Sequence, residues 1–475
     1  MSGVEPSREE LLALVAAQAR VIEEQAQRIE RLEALVVELQ RRLAQNSGNS
    51  SKPPSSDGPA KPSRPSRAPT GRSPGKQPGT PGASLQRTAD PDLVIDHVPV
   101  ACGACGADLA QAVAVGVVAR QVIDIPEVSV STTEHRMHKR RCVCGVVSAA
   151  VAPPEATAAV VYGPNLRALA VYLLVFQHVP VERTAMLLAD VCGAAVSTGW
   201  VCRVLTQTSD ALADVDKLIR TLLVAAHVLH VDETSTQVAR KRHWLHVACT
   251  PWLTAYHLHP SRGRVAVDEF GVLPAFAGVA VHDALSVYDA HAYPKATHAL
   301  CCAHINRELT AADEAHPGQI WPTQARNALL ALNTAAHRAR TADQEHIPPE
   351  IAQFYLTLFA QAIAVGLSLH PRAPGREQTK TRNLLERLRD RGDEVLRFAQ
   401  DLAVPFTNNQ AERDLRPAKT QLKISCCHRS DTGAAAWLRV RGYISTARKH
   451  GIKVMAAIRD AITGNPWKPP VAALT

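Results

Sequence analysis

The sequence predicts a multidomain α/β protein, and three observations carry that prediction. A heptad of branched and Leu residues runs through residues 8–45. Two cysteine pairs, Cys102/Cys105 and Cys142/Cys144, flank a stretch that alternates like β-strands. Between Ala225 and Asp283, short branched apolar segments separated by turn residues read as strands, with helical patterns before and after them.

At 475 residues and 46% hydrophobic content the chain can bury a large core. Lys and Arg number 53 against 44 Asp and Glu, a formal net charge of +9, which favours a polyanion such as nucleic acid or an acidic membrane surface as partner. No uninterrupted apolar run reaches the roughly 18 residues of a membrane span. The N-terminus lacks the basic-then-apolar pattern of a signal peptide, so the expected location is the cytoplasm. Eleven cysteines in such a chain point to thiols or metal ligands rather than a disulfide framework.

Residues 1–45 are expected to form a coiled coil. Val15, Ile22, Ile29, Val36 and Leu43 recur every seventh residue, and Leu11, Leu32 and Leu39 fill the second seam position. That pattern favours a parallel dimer, with Gln18 and Gln25 interrupting the seam; the other reading is an amphipathic helix lying on the rest of the protein. Residues 46–92 read as a flexible basic linker, in which Lys52, Lys61, Arg64, Arg67, Arg72, Lys76 and Arg87 outnumber Asp57 and Asp90. It is either a solvated tether or an arm that tracks phosphates.

Residues 93–150 form the cysteine module. Paired cysteines around a β-rich stretch, here Gln121–Ile125 and Val128–Thr132, are the layout of a four-thiolate Zn²⁺ site in a module too small to fold on its own core. Its ligands are Cys102, Cys105, Cys142 and Cys144, with His138 as a substitute; unligated buried thiols are the alternative. Residues 151–222 are helical, and a helix ending near Gly193 followed by one capped at Ser197 matches a helix-turn-helix or a plain helical hairpin.

The strands that follow place three acids. His230-Val-Asp-Glu-Thr puts Asp232 at the end of the first strand, two further strands at His243 and Thr254 complete an antiparallel meander, and Val279-Ala-Val-His leads into Asp283. One carboxylate from the first strand and one from the fourth is the arrangement of a ribonuclease-H-like core, taken here as residues 223–312. A third acid then arrives on a later helix in residues 400–428, where Glu412 follows the capping candidates Asn408 and Asn409, and Pro417 is expected to stop the helix. Such a trio suits two Mg²⁺ ions, with Mn²⁺ as substitute, which stabilise the attacking and leaving oxygens of a phosphodiester. Taken singly, each acid reads equally well as a surface charge or a cap, and Glu412 with Arg416 as a helix ion pair.

Other groups gather round the trio. His304 and Arg307, on one face of the helix expected after Cys301, are candidates to contact a phosphate or to position a metal-bound water, and His304 reads as well as a packed histidine. Arg413, Arg416 and Lys419 stand beside Glu412 as phosphate contacts. Residues 313–399, with Arg382, Arg387, Arg389 and Arg391, read as a basic helical insertion. Residues 429–475 are expected to form a helical tail, whose Arg439, Arg441, Arg448 and Lys449 add a second basic surface.

In its motifs the chain resembles the transposase family of insertion sequence 66, a branch of the DDE transposases. The resemblance rests on the coil running into the Leu43–Asp57 phrase, the cysteine pairs, Val231-Asp-Glu-Thr, the Gly278–Tyr288 segment, Cys301-Cys-Ala-His-Ile-Asn-Arg and Asn408-Asn-Gln-Ala-Glu-Arg-Asp-Leu-Arg-Pro. It implies a DNA transposase of bacterial, nucleoid-associated type with Asp232, Asp283 and Glu412 as the metal-binding triad. It also implies terminal inverted repeats and target DNA as partners, an oligomer at least dimeric, and small accessory proteins encoded beside it. The alternative reading is a non-catalytic or inactivated DNA-binding protein of the same origin. The chain departs from the family pattern at Thr407, where an acid is usual, in its compressed second cysteine pair, and at Cys302, where the family has Trp.

Overall fold

The computed structural model describes residues 7–46, 49, 76, 79–82 and 84–471. Lys52, Lys61, Arg64, Arg67 and Arg72 of the basic linker, with most of the Leu43–Asp57 phrase, lie outside the described residues. The heptad segment is one helix, α1 (Arg8–Ala44). Leu11, Val15, Ile22, Ile29, Leu32, Val36 and Leu39 are exposed along it, so its apolar seam is left open rather than laid on the rest of the chain.

The cysteine module contains a two-stranded antiparallel hairpin, β1 (Lys139–Arg141) and β2 (Val147–Ala149). The strands expected at Gln121–Ile125 and Val128–Thr132 are not formed. Their alternating apolar residues find no neighbouring strand, and Val122 and Ile125 stay exposed. A strand is stable only when its backbone groups pair, and here Val130 N–H donates to the carbonyl of Cys192.

Between the cysteine module and the main sheet lie α2 (Pro164–Val171), α3 (Val181–Cys192), α4 (Thr198–Ala211) and α5 (Ala213–Val224). The expected turn is present. Gly193 closes α3 in the left-handed region, and the Ser197 hydroxyl caps α4 by accepting from Trp200 N–H. Val201, Val204, Leu205 and Thr208 of α4 are buried, while Cys202, Arg203, Thr206 and Gln207 are exposed.

A mixed five-stranded sheet follows: β3 (Val228–Val238), β4 (Lys241–Cys249), β5 (Thr254–His259), then helix α6 (Arg264–Phe270), β6 (Val279–His282) and β7 (Thr297–Leu300). The order across the sheet is β5-β4-β3-β6-β7; the first three are antiparallel, and β6 and β7 run parallel to β3. The meander and the fourth strand agree with the sequence reading. β3 is longer than expected, so Asp232 sits within it rather than at its end, and β7 was not foreseen. Four residues, Thr-His-Ala-Leu, carry too little alternation to stand out.

Helix α7 (Cys302–Ala315), which follows β7, and the helices of the insertion, α8 (Trp321–Thr341), α9 (Pro349–Leu369), α10 (Lys380–Asp390) and α11 (Gly392–Gln400), pack on the face of the sheet carrying Val279, Val281 and Ala299. The opposite face, with Leu229, Val231 and Ala280, is covered by α4, α5 and three later helices: α12 (Asn409–Ser425), α13 (Asp431–Lys449) and α14 (Val454–Ile462). At 21 residues, α9 is long and apolar enough by length and composition to cross a membrane. Glu350, Gln353 and Gln361 break its apolar run, and Phe359, Ala362, Ile363 and Gly366 are packed within the helical layer.

Three expectations about cations and helix ends change. Pro417 lies inside α12 and does not stop it. An internal proline costs a helix roughly 3 kcal/mol, and burial of Ala411, Leu415 and Gln421 along the same helix offsets that. The arginines of the insertion are not a free basic face: Arg382 pairs with Glu386, Arg387 with Glu308, Arg389 with Asp390, and Arg391 with Asp289 and Glu394. The tail cations also turn inward. Arg441 is buried over the Phe176 ring, Arg439 donates to Ser209, and Lys449 pairs with Asp414, whereas Arg448 lies over the same ring but stays exposed.

Candidate active site

Strand register brings the two aspartates together. In the parallel pair, Val228 lies opposite Val279, Leu229 opposite Ala280 and His230 opposite Val281. Continuing that register by two residues sets Asp232 opposite Asp283, on the same face by the alternation of the pleat, at a strand spacing of about 5 Å. Formal pairing has ended by then, so the strands are free to splay. Each aspartate is half-buried and accepts a backbone N–H close by, Asp232 from Glu233 (2.8 Å) and Asp283 from Leu285 (3.0 Å).

Glu412 comes from the first turn of α12, and the placement of that helix rests on a residue the sequence had cast in another role. Asn408 occupies the N-cap, yet its side chain makes no capping bond. Instead Nδ2 donates to Val231 O (2.8 Å), Oδ1 meets His230 Nδ1 (2.8 Å), and the Asn408 N–H donates to Cys301 Sγ (3.1 Å). Asn408 is buried, so these bonds satisfy polar groups that water cannot reach. They tie the start of α12 to the two residues preceding Asp232.

The back of α12 is held as firmly. Buried Asp414 accepts from Lys449 Nζ (2.7 Å) and Thr254 Oγ1 (3.2 Å), and its carbonyl accepts from Tyr256 OH (2.5 Å). Glu233, beside Asp232, is buried, accepts from Arg262 Nε (2.8 Å) and Tyr288 OH (2.6 Å), and thus faces away from the aspartate pair. Burial and the Glu233 charge push Tyr288 well above its ordinary range, so the phenol remains a donor.

Among the described residues none of Asp232, Asp283 and Glu412 has a cationic side chain paired with it. Burial, then the charges of Glu233, Asp283 and Glu412, raise the Asp232 carboxyl to about 7. Burial first, and acidic neighbours second, make this a setting that favours a cation. Among the described residues no group of three or more His, Cys, Asp or Glu closes round one point at metal-binding distance. Asp232 and Asp283 are therefore drawn together by register, and Glu412 approaches by charge without completing a cage.

His304 is half-buried on α7. Burial opposes its protonation, but the hydrogen bond and charge of Cys301 override that and raise it to about 9, while Nδ1 is buried without a partner. Arg307 lies one turn further along α7 and makes no ion pair among the described residues. Arg413, Arg416 and Lys419 are exposed on α12, and Arg416 does not pair with Glu412. Asn408, His230, Asp414 and Lys449 are the residues that sequence reasoning missed as parts of the site. The Asn408-Asn409 pair was noticed, but its spacing pointed to a cap.

In the cysteine module each pair occupies a tight turn. Cys102 N–H donates to Ala107 O and Gly106 N–H to Cys102 O; Cys142 N–H donates to Val146 O and Gly145 N–H to Cys142 O. Gly106 and Gly145 have φ of 73° and 89°, a left-handed conformation that favours glycine. The N–H groups of Ala104 and Cys105 draw the Cys102 thiol down, and that of Cys144 draws down Cys142. Thiols biased toward thiolate on paired turns fit Zn²⁺, although the two pairs do not share one point among the described residues.

The architecture defined so far is a multidomain α/β protein: a long N-terminal helix, a cysteine-turn module, and a mixed sheet carrying adjacent acids. Residues 159–436, more than half of the chain, match the Transposase IS66 family, and residues 99–145 match the zinc-finger binding domain of transposase IS66. The chain belongs to the IS66 transposase family. Residues 4–86 match a family of unknown function. A similar protein is an uncharacterized protein, y4jO, of Sinorhizobium fredii, 28% identical over 174 residues, which cover 37% of this chain and 50% of that protein.

Proposed function

We propose that this protein is a DDE-type DNA transposase in which Asp232, Asp283 and Glu412 hold two Mg²⁺ ions, or Mn²⁺ in their place. The observation that carries the reading is the β3/β6 register, which sets the two aspartates side by side, with Asn408 tethering the Glu412 helix to the same strand. The strand order, three antiparallel followed by two parallel, supports a ribonuclease-H-like core. When bound, the ions supply charge neutralisation for the attacking and leaving oxygens of a phosphodiester.

The side chains have separable tasks. Asp232 and Asp283 would hold the cations from the sheet, and Glu412 would add a carboxylate from α12. His304 and Arg307 on α7 would contact a phosphate. Exposed Arg413, Arg416 and Lys419 receive the DNA backbone. Water cleaves the strand at the element end, and the freed 3′-hydroxyl attacks target DNA by direct transesterification. Cys102, Cys105, Cys142 and Cys144 hold a structural Zn²⁺, and the open seam of α1 pairs with that of a second copy. The proposed setting is the cytoplasm, on DNA, with terminal inverted repeats as one partner and accessory proteins of the same element as others.

The deciding experiment incubates purified protein with Mg²⁺ and a supercoiled plasmid carrying the element ends. Cleavage and joined products are expected, and both should vanish in Asp232→Asn and Asp283→Asn while duplex binding persists. Binding without any cleavage by the wild type would assign the chain to a non-catalytic DNA-binding role. Metal analysis should return about one Zn²⁺ per chain; none in freshly reduced protein would remove the zinc proposal.

A further inference from the structure

The turn joining β3 to β4 consists of two residues, Ala239 and Arg240, with φ of 49° and 63°. Both values lie in the left-handed region, the geometry of a type I′ hairpin turn, which ordinarily selects Asn-Gly. Here the second place is given to an arginine, followed by Lys241 and Arg242, all three exposed. A strained turn that carries three consecutive cations presents charge where a glycine would have made the turn easier.

The turn is fixed to the end of α12. Val238 bridges to His428, and Ala239 N–H donates to His428 O (2.8 Å). The His428 ring lies 5.6 Å from that of Trp437, which anchors the contact. This brings exposed Lys423 and Arg429 beside the turn from a segment far away in the chain. Among the described residues none of these five cations takes part in an ion pair. Asp431, the acid at the margin, is engaged by His243 Nε2 (3.2 Å).

The patch is continuous with the site. α12 starts at the Asp232 end of β3, through Asn408, and the segment that follows it meets the Val238 end, through His428. Along it Arg413, Arg416, Lys419 and Lys423 are exposed at spacings that share one helix face. Six residues of β3 separate Asp232 from the turn, about 20 Å at roughly 3.3 Å per residue. Duplex DNA covers that distance in about six base pairs at roughly 3.4 Å each.

We propose that the β3–β4 turn (Arg240, Lys241, Arg242) with Lys423 and Arg429 is a second phosphate-binding surface, at the far end of the α12 stripe, which grips duplex DNA about six base pairs from the bond to be cut. The partner is the sugar-phosphate backbone of a duplex, since all five side chains of the surface are cations. The proposal rests on the function proposed above for where the cut falls, but binding at the surface does not require cleavage.

The test is fluorescence anisotropy of the full-length protein with a fluorescein-labelled 30-base-pair duplex of arbitrary sequence, in EDTA, over a KCl series. Replacing Arg240, Lys241 and Arg242 by Gln together should flatten the slope of log K against log salt by about 2.7, or about 0.9 for each phosphate no longer neutralised. Arg240→Lys with Arg242→Lys should keep the wild-type slope. A wild-type protein that shows this slope but does not cut the duplex when Mg²⁺ is restored sinks the catalytic reading and leaves this one standing. An unchanged slope in the Gln variant overturns the proposal. So does a Lys variant whose slope flattens as much as that of the Gln variant, or equal displacement of the duplex by poly-glutamate at matched charge, which would indicate an acidic protein partner.

Discussion

The two arginine-rich regions of this protein look alike in sequence and behave as opposites in the fold. On α10 and its flanks, Arg382, Arg387, Arg389 and Arg391 each face an acid, so their charge is spent on holding the insertion together. On α12 and the β3–β4 turn, Arg413, Arg416, Lys419, Arg240, Lys241 and Arg242 are exposed and face no acid among the described residues. Net charge counts both sets equally. Only the unpaired set is available to a polyanion, because a phosphate must otherwise compete with a carboxylate already in place.

The largest effect should come from removing the cation that partners a buried acid. Lys449→Met leaves Asp414 enclosed without its partner, and urea denaturation should show a loss of about 3–5 kcal/mol. If the loss is below about 1 kcal/mol, the Asp414 cluster does not anchor α12. Next, Asn408→Ala removes a buried amide bonded to Val231 and His230 and should cost about 1–3 kcal/mol. Its DNA affinity should stay near wild type while cleavage falls much further, since the helix carrying Glu412 is no longer tied to the strand of Asp232. Equal losses in binding and cleavage would mean that the change is a general loosening.

A pH series sharpens the contrast between paired and unpaired charge. Hydrogen bonds from Arg372 and Arg382 hold the Glu386 carboxyl down at about 2, against an ordinary 4.5. A depressed carboxyl contributes stability that is present above about 4.5 and is lost as the pH falls through about 2. The gap in denaturation midpoint between wild type and Glu386→Gln should therefore be constant above pH 5 and shrink on acidification. A gap that widens in acid would reverse the assignment. The smallest effect is expected for Arg389→Gln, an exposed pair: a urea midpoint indistinguishable from wild type and no change in the salt slope of DNA binding. A flatter slope there would make the insertion a DNA surface after all.

Much of the architecture could be read from local patterns. The heptad of α1, the Gly193–Ser197 turn, the β3–β4–β5 meander, and the strand before Asp283 all appear where periodicity and turn residues put them. Failures share a cause. The expected strands near Gln121 and Val128 had the right alternation and no partner to pair with. Pro417 had the right chemistry to end a helix, yet burial of Leu415 and Gln421 carried the helix through it. Asn408 stood where a cap belongs, and the nearby Val231 carbonyl and His230 ring captured its side chain instead.

By itself, the sequence determined the kinds and positions of the chemical groups: acids at the ends of apolar runs, cysteines in tight turns, cations in clusters. Local propensity depends on neighbours a few residues away, and that information is complete in the chain. Tertiary structure alone decided which of those groups meet. Asp232 faces Asp283 because two strands pair in one register and not in the next, and Arg387 and Arg391 are held by Glu308 and Asp289, acids many residues distant. Register and long-range pairing are set by the whole core closing at once, and no short window of sequence carries that condition.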